Sequence, residues 1–250
     1  MTRPLVEGGC ELWIASISEF AEHQSALDEV LTSEDQAHLH HLRGGRVAAR
    51  LSRGLLRLVL ARYLDVPPAE VDVVRSCPHC ERPHGRPRLG RRHATATEAI
   101  EFSVTHGGDL LVLAFAGGGS VGVDVEPVGA PVDLRAELID FTLTAAERVR
   151  LLELPAEERT RTFLRHWTGK EAILKALGTG LDVEPQAVTL PPFPANGRAS
   201  VTLPGSRSVQ LWVTDVDVGP THVCTLATSQ EVRELASAHL SPSVILGRDG

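Results

Sequence analysis

The feature that most constrains this chain is a structural plan that occurs twice. An alternating apolar strand at residues 12–17 is followed by the segment LTSEDQAHL at 31–39, then by a long helical pattern over 46–64. A second apolar strand at 121–125 is followed by LTAAERVRL at 143–151, then by a long helical pattern over 157–177. Thr32 and Thr144 are expected N-caps, and Glu147 completes a capping box with Thr144. Asp65-Val66-Pro67-Pro68 ends the first long helix, since proline cannot continue it, and Gly178 ends the second. Further strands are expected at 71–75, 101–105 and 110–115 in the first copy and at 209–213 and 223–228 in the second, with a turn at 106–109. Two copies of strand, capped helix, long helix and returning strands predict a pseudo-twofold α+β fold, not a solenoid. Each half is expected to pack a long helix on an antiparallel sheet. The expected limits are 1–117 and 118–238, divided near Gly117-Gly118-Gly119, with 239–250 as a flexible tail.

Composition narrows the function classes. At 42% hydrophobic and 23% charged residues the chain is too apolar for disorder, and 250 residues allow one large domain or two small ones. The longest uncharged run, 110–123, is 14 residues with four glycines, against the ~20 apolar residues that cross a bilayer. Glu7 and Glu11 interrupt any secretory h-region. A cytoplasmic protein with no membrane partner is expected. The net charge of −7 argues against general nucleic-acid binding, so an anionic ligand needs a local cationic cluster. Of 25 basic residues only two are lysines, Lys170 and Lys175, which suggests a compact, strongly hydrated charge is wanted there. Cys10 and Cys224 read as small buried hydrophobes. Cys77 and Cys80, with His79 and His84 nearby, lack the second ligand pair of a zinc site and read as incidental thiols in a loop.

Three acids and a set of cations could carry chemistry. Asp124 and Glu126 alternate on an apolar strand, so both carboxylates point to one face. Such a pair suits a Mg²⁺ ion between them; the same spacing also fits a strand end whose acids face solvent. In FLRHWTGKEAILKALGTGL, Lys170 falls within the apolar stripe of Phe163, Trp167, Leu174 and Leu177, and must reach out of it or meet an anion there. Glu171 and Lys175, at i and i+4, fit either a surface ion pair or a metal ligand beside a charge-neutralising lysine. Arg46, Arg50, Arg53 and Arg57 form a comb on one helix face, able to grip phosphates or simply to be solvated. His106 ends a strand, where an imidazole can donate to phosphate. Gly117, Gly119 and Gly122 match G-x-G-x-x-G, but a strand follows where a dinucleotide site needs a helix.

Taken together, Gly122-Val123-Asp124-Val125-Glu126 and Trp167-Thr168-Gly169-Lys170-Glu171-Ala172-Ile173-Leu174-Lys175, with Gly178-Thr179-Gly180-Leu181 trailing, resemble the motifs of the 4′-phosphopantetheinyl transferase superfamily. Phe102-Ser103-Val104-Thr105-His106 and Gly85-Arg86-Pro87 resemble two further family segments. The resemblance spans about 31–188. Length and duplication resemble the monomeric surfactin-synthetase-activating type, not the half-length trimeric synthases. It implies an active site in the cleft between the halves and transfer of 4′-phosphopantetheine from coenzyme A to a serine of an apo carrier protein (acyl, polyketide or peptidyl), releasing 3′,5′-ADP. By this resemblance Asp124, Glu126 and Glu171 hold Mg²⁺ (or Mn²⁺), Glu171 deprotonates the serine, and Lys175, with Asp124, contacts the pyrophosphate side. Arg46, Arg53, Arg86, Thr105 and His106 take the nucleotide and its 3′-phosphate. The chain departs from the pattern with Arg86 for lysine, Thr105 for serine, and Asp35 and His38 where some relatives carry basic residues. The competing expectation is a non-catalytic α+β binding module whose acids and arginines form surface ion pairs.

Overall fold

The computed structural model describes residues 5–42, 44–75, 85–93, 100–129, 134–205 and 207–247. Cys77, His79, Cys80 and His84 lie outside these residues, so their expected inert role does too. The chain divides into two compact units, Met1–Gly118 with Arg233–Gly250, and Gly119–Val232. Both mix helices with antiparallel sheet, and the fold class is α+β.

In the first unit β1 (Gly9–Ser16) is followed by α1 (Gln24–Asp28), α2 (Ser33–His41) and α3 (Arg46–Leu64), then by the short β2 (Val73–Val74) and β3 (Arg88–Leu89), then by β4 (Ile100–Gly107) and β5 (Leu110–Gly117). Thr32 opens α2 with the full capping box, its hydroxyl accepting from Asp35 N–H. The α3 limits are those the sequence predicts: Asp65 takes the left-handed conformation at φ 54° and Val66 N–H closes on Ala61 O before the prolines. Leu51, Leu55, Leu56, Val59 and Leu60 of α3 pack with Ala15, Phe102, Leu111, Leu113 and Phe115 from the sheet. The β4–β5 turn needs only Gly108 and Asp109, with Gly108 at φ 55°, so His106 is a strand residue and not part of the turn. The strand expected over 71–75 is only two residues long.

The largest difference from expectation lies at the C-terminus. Residues 233–250 belong to the first unit, where β11 (Glu234–His239) runs parallel to β1 and gives the sheet order β11-β1-β5-β4. The second half therefore ends at Val232, not 238. Leu240 N–H bonds Ile14 O, Leu240 is buried, and a short terminal helix (Pro242–Leu246) buries Ile245, so 239–247 is not a loose tail. Every β11 side chain is exposed. The strand is held by main-chain pairing, which leaves no hydrophobic alternation to read.

In the second unit β6 (Val121–Pro127) leads to α4 (Ala136–Thr142), α5 (Ala145–Glu153) and α6 (Ala156–Leu177). The strands β7 (Val188–Thr189), β8 (Gly197–Leu203), β9 (Arg207–Val216) and β10 (His222–Thr228) follow, all antiparallel in the order β6-β10-β9-β8-β7. Thr144 and Glu147 form the second capping box, and Gly178 at φ 71° caps α6. In both units the first strand pairs antiparallel with the last strand of the repeat, β1 with β5 and β6 with β10. The duplication therefore extends from sequence order to strand pairing.

Candidate functional site

Strand β6 places Gly122, Asp124 and Glu126 on the face toward α6. Gly122 is required there, because a Cβ would lie 2.0 Å from Ala172 O and 2.5 Å from Ala176 N. That close approach sets Asp124 beside the second half of α6, where Lys175 Nζ donates to Asp124 Oδ1 at 2.5 Å and to Val123 O at 3.2 Å. Asp124 is buried and lies opposite Thr225, whose hydroxyl meets that of Thr168 at 3.0 Å. Burial, then the charges of Asp124 and Glu171, push Glu126 above the usual carboxylate range, against a hydrogen bond from Trp167 and the charge of Lys175. Burial, then Asp124, likewise raise Glu171, with Lys175 opposing. The three carboxylates thus share one electrostatic field, with Lys175 in it. Among the described residues, however, no three His, Cys, Asp or Glu form a ready-made metal cage.

Lys170 does not join this group. It is 0% exposed, and its Nζ donates to Glu147 Oε2 at 2.7 Å and to Thr142 O at 2.9 Å. The alternative posed by its apolar stripe is resolved in favour of an internal anion. Burial alone would raise Glu147, but His166, Lys170 and the Thr144 N–H outweigh it and hold the carboxyl at about 2. Glu147 and Thr142 were missed as its partners by sequence reasoning. The usable signal was that the capping-box acid carries a charge at the foot of a helix next to an apolar lysine stripe.

The first-unit candidates are spread over α3, the 85–88 segment and β4. Arg46 is exposed and donates to Leu42 O at 2.9 Å and His40 O at 3.1 Å, closing the end of α2. Arg53 and Arg57 are buried and converge on Asp35, at 3.3 and 2.8 Å. Arg57 also donates to Val71 O, so it is structural and not part of a solvated comb. Arg50 pairs with Asp28 at 2.9 Å. Arg86 bonds Glu101 at 2.9 Å. Thr105 is buried and His106 exposed; as successive strand residues they point to opposite faces, so β4 does not gather them on one surface. Arg75, absent from the expected set, borders the Arg53–Arg57–Asp35 cluster with His38.

Residues 120–227 match the family model of the 4′-phosphopantetheinyl transferase superfamily. The 4′-phosphopantetheinyl transferase HetI of Nostoc sp. is 29% identical over 179 residues, 71% of this chain and 72% of that protein. A phosphopantetheinyl transferase of Thraustochytrium sp. is 27% identical over 216 residues, 80% of this chain and 72% of the other. The first matched relatives are covered over 47% to 72% of their own lengths. The crystal structure of Thermotoga maritima holo-[acyl-carrier-protein] synthase aligns over 44% of this chain and 61% of that one, at 19% identity and a TM-score of 0.32, too slight a likeness to add weight. The family match covers β6, α6 and the strands between α6 and β10, the elements that bring Asp124, Glu126, Glu171 and Lys175 together, and over these residues the chain is similar to the 4′-phosphopantetheinyl transferase superfamily.

Proposed function

We propose that this chain transfers the 4′-phosphopantetheine moiety of coenzyme A to a serine hydroxyl of an apo carrier protein, releasing 3′,5′-ADP. The observation that carries the reading is the α6–β6 corner, where Lys175 donates to Asp124, whose charge helps raise Glu126 and Glu171, on a strand and helix held together by Gly122. Phosphoryl transfer depends mainly on positioning and charge neutralisation, which this equipment supplies. Glu171, whose pKa is raised, is the base that takes the serine proton as its oxygen attacks the β-phosphorus. Lys175 is the fixed cation beside the pyrophosphate, and Asp124 orients its ammonium.

The donor set fits a hard divalent ion. All three acids offer oxygen, and Mg²⁺ is commonly held by one or two carboxylates together with substrate phosphates and water, so a closed protein cage is not needed. Asp124, Glu126 and Glu171 would hold it, Mn²⁺ being an alternative, and when bound it would neutralise charge on the pyrophosphate. Arg46, Arg53, Arg86, Thr105 and His106 are proposed on the nucleotide side. The acceptors are carrier domains of the acyl, polyketide or peptidyl kind, and the protein acts as a monomer in the cytoplasm. Among the described residues no helix is long and apolar enough to cross a membrane.

Intact-mass spectrometry of apo carrier domains incubated with coenzyme A and Mg²⁺ tests the reading. One phosphopantetheine gained on at least one carrier, lost on chelation, is the expected result. No gain on any of the three carrier types, with no thermal stabilisation by coenzyme A, would overturn it; a ligand at 100 times its Kd adds about 2.7 kcal/mol.

A further inference from the structure

Where α6 crosses β10, two apolar clusters are joined by a polar contact. In one cluster Phe163 and Leu164 of α6 pack with Val223 of β10. In the other, Ala172, Ile173 and Leu174 pack with Val213 of β9 and Ala227 of β10. Between them lie two hydroxyls. Thr168 of α6 is 0% exposed, Thr225 of β10 is 1% exposed, and their oxygens are 3.0 Å apart. Thr168 donates to Arg165 O at 3.3 Å, so the proton between the two hydroxyls comes from Thr225. Valine would fill nearly the same space at either position, so filling the seam does not by itself call for threonine.

The place of this pair relates it to the charges of the site. Thr225 stands directly opposite Asp124 on β6 and Asp215 on β9, so it shares their face of the sheet. Thr168 precedes Glu171 by three residues and Lys175 by seven, which puts all three on one side of α6. The hydroxyl pair thus ties the row that carries Asp124 to the helix side that carries Lys175. Gly122 sets how near α6 comes to β6, but apolar contact is non-directional and lets a helix slide or roll by fractions of an ångström. A buried hydrogen bond has a defined distance and direction, and either partner left unpaired is costly. We propose that Thr168 and Thr225 are positioning residues that set the register of α6 on β10, and through it the meeting of Lys175 with Asp124. Their effect on rate rests on the transferase reading above. Both hydroxyls are buried, so they act through Lys175 and Asp124 and not on substrate.

The test separates stability from position. Thr168→Val and Thr225→Val each strand one buried hydroxyl and are expected to lower Tm; the double variant removes both partners and is expected to regain most of that loss. If the pair only holds the fold, kcat returns with Tm in the double variant. If it positions α6, kcat stays at least about tenfold down while KM for coenzyme A changes little, since a displacement of about 1 Å can cost roughly 10²-fold. Thr168→Ser and Thr225→Ser, which keep the hydroxyl, are expected to recover most of the rate lost in the valine variants. A second readout needs no turnover. The chain has two lysines, Lys170 and Lys175, so ¹³C-lysine labelling gives two ε-CH₂ signals, and Lys175→Arg assigns them. The two ε protons of Lys175 are expected to have distinct shifts in the wild type and to merge in the double valine variant. A kcat that recovers with Tm, or a Lys175 signal unchanged in the double variant, overturns the inference. A protein that transfers nothing yet shows the merging sinks the transferase reading and keeps this one; transfer with a Lys175 signal indifferent to both threonines does the reverse.

Discussion

The two units repeat one internal ion pair and then diverge within a turn of helix. In each, the acid at the third position of the capped short helix also receives a buried cation from the long helix: Asp35 takes Arg57 at 2.8 Å, and Glu147 takes Lys170 at 2.7 Å. In each, that cation also donates to a main-chain carbonyl, Val71 O or Thr142 O. One residue further on, the first unit carries Leu58 and the second carries Glu171. Five residues on, Arg62 donates to Val244 O, whereas Lys175 donates to Asp124. The first strands differ in the same sense. Glu11 on β1 accepts from the Tyr63 hydroxyl, while Asp124 on β6 meets an ammonium. The shared pair fastens short helix to long helix, and the residues that follow it are spent on internal contacts in the first copy and carry the charges of the proposed site in the second.

The strongest way to break this comparison is at Glu171. Glu171→Gln is expected to lower kcat by roughly 10²–10⁴-fold, with the melting temperature kept, because the amide cannot take the serine proton. Asp124→Ala should behave alike in activity. Wild-type rates from both would reduce the second half of α6 to the structural status of α3.

The shared pair is the next target. Lys170→Met and Arg57→Met each remove the nearest cation from a buried carboxylate, leaving Glu147 to His166 and Asp35 to Arg53, which costs up to about 3–5 kcal/mol, or roughly 10 °C in Tm for a chain of this size. Similar losses in both variants would sharpen the equivalence; a silent variant in either unit would break it. Lys170→Met combined with Glu147→Met should regain much of the lost stability, since apolar replacement of a buried pair is often near neutral.

Acid titration reads the same pair without substitution. Glu147 sits at about 2 in the folded protein against 4.5 for an ordinary glutamate, so its contribution is complete above pH 4.5 and is lost as pH falls toward 2. The expected loss is of order 3 kcal/mol across that window, by denaturant unfolding. Burial alone would raise Asp35, but Arg57 and Thr32 outweigh it, so its contribution disappears in the same direction below 3.8. Glu147→Gln should flatten the second unit's part of the slope.

The smallest expected effect separates two cations in matching places. Lys175→Arg is predicted to slow transfer at least tenfold, about 1.4 kcal/mol of barrier, because a planar guanidinium cannot sit where a compact ammonium meets Asp124 and Val123 O. Arg62→Lys should change stability by no more than about 0.5 kcal/mol. Equal and small effects at both positions would remove the distinction between the copies.

The sequence by itself determined the elements whose causes are local. The long helix 46–64, the capping threonines, the stop at Gly178 and the order of the two copies depend on hydrogen bonds and packing within a few residues, and these are written in residue type and spacing. It also singled out Asp124, Glu126, Glu171 and Lys175, because acids in an apolar strand and lysines in an arginine-rich chain stand out against their surroundings. Tertiary structure decided which partner each charge found. Nothing in the spacing told that Lys170 would meet Glu147, 23 positions away, and so be absorbed into the scaffold while its neighbour Glu171 stayed near Asp124. Nor did it tell that Asp35 would draw Arg53 and Arg57 out of the comb, or that Gly122 would let the α6 backbone close on β6. The segment 234–239 joined β1 through main-chain hydrogen bonds, which every residue except proline can donate, so no side-chain pattern announced it. A buried charge takes the partner that distant chain segments bring within hydrogen-bond reach, and only the folded chain sets that distance.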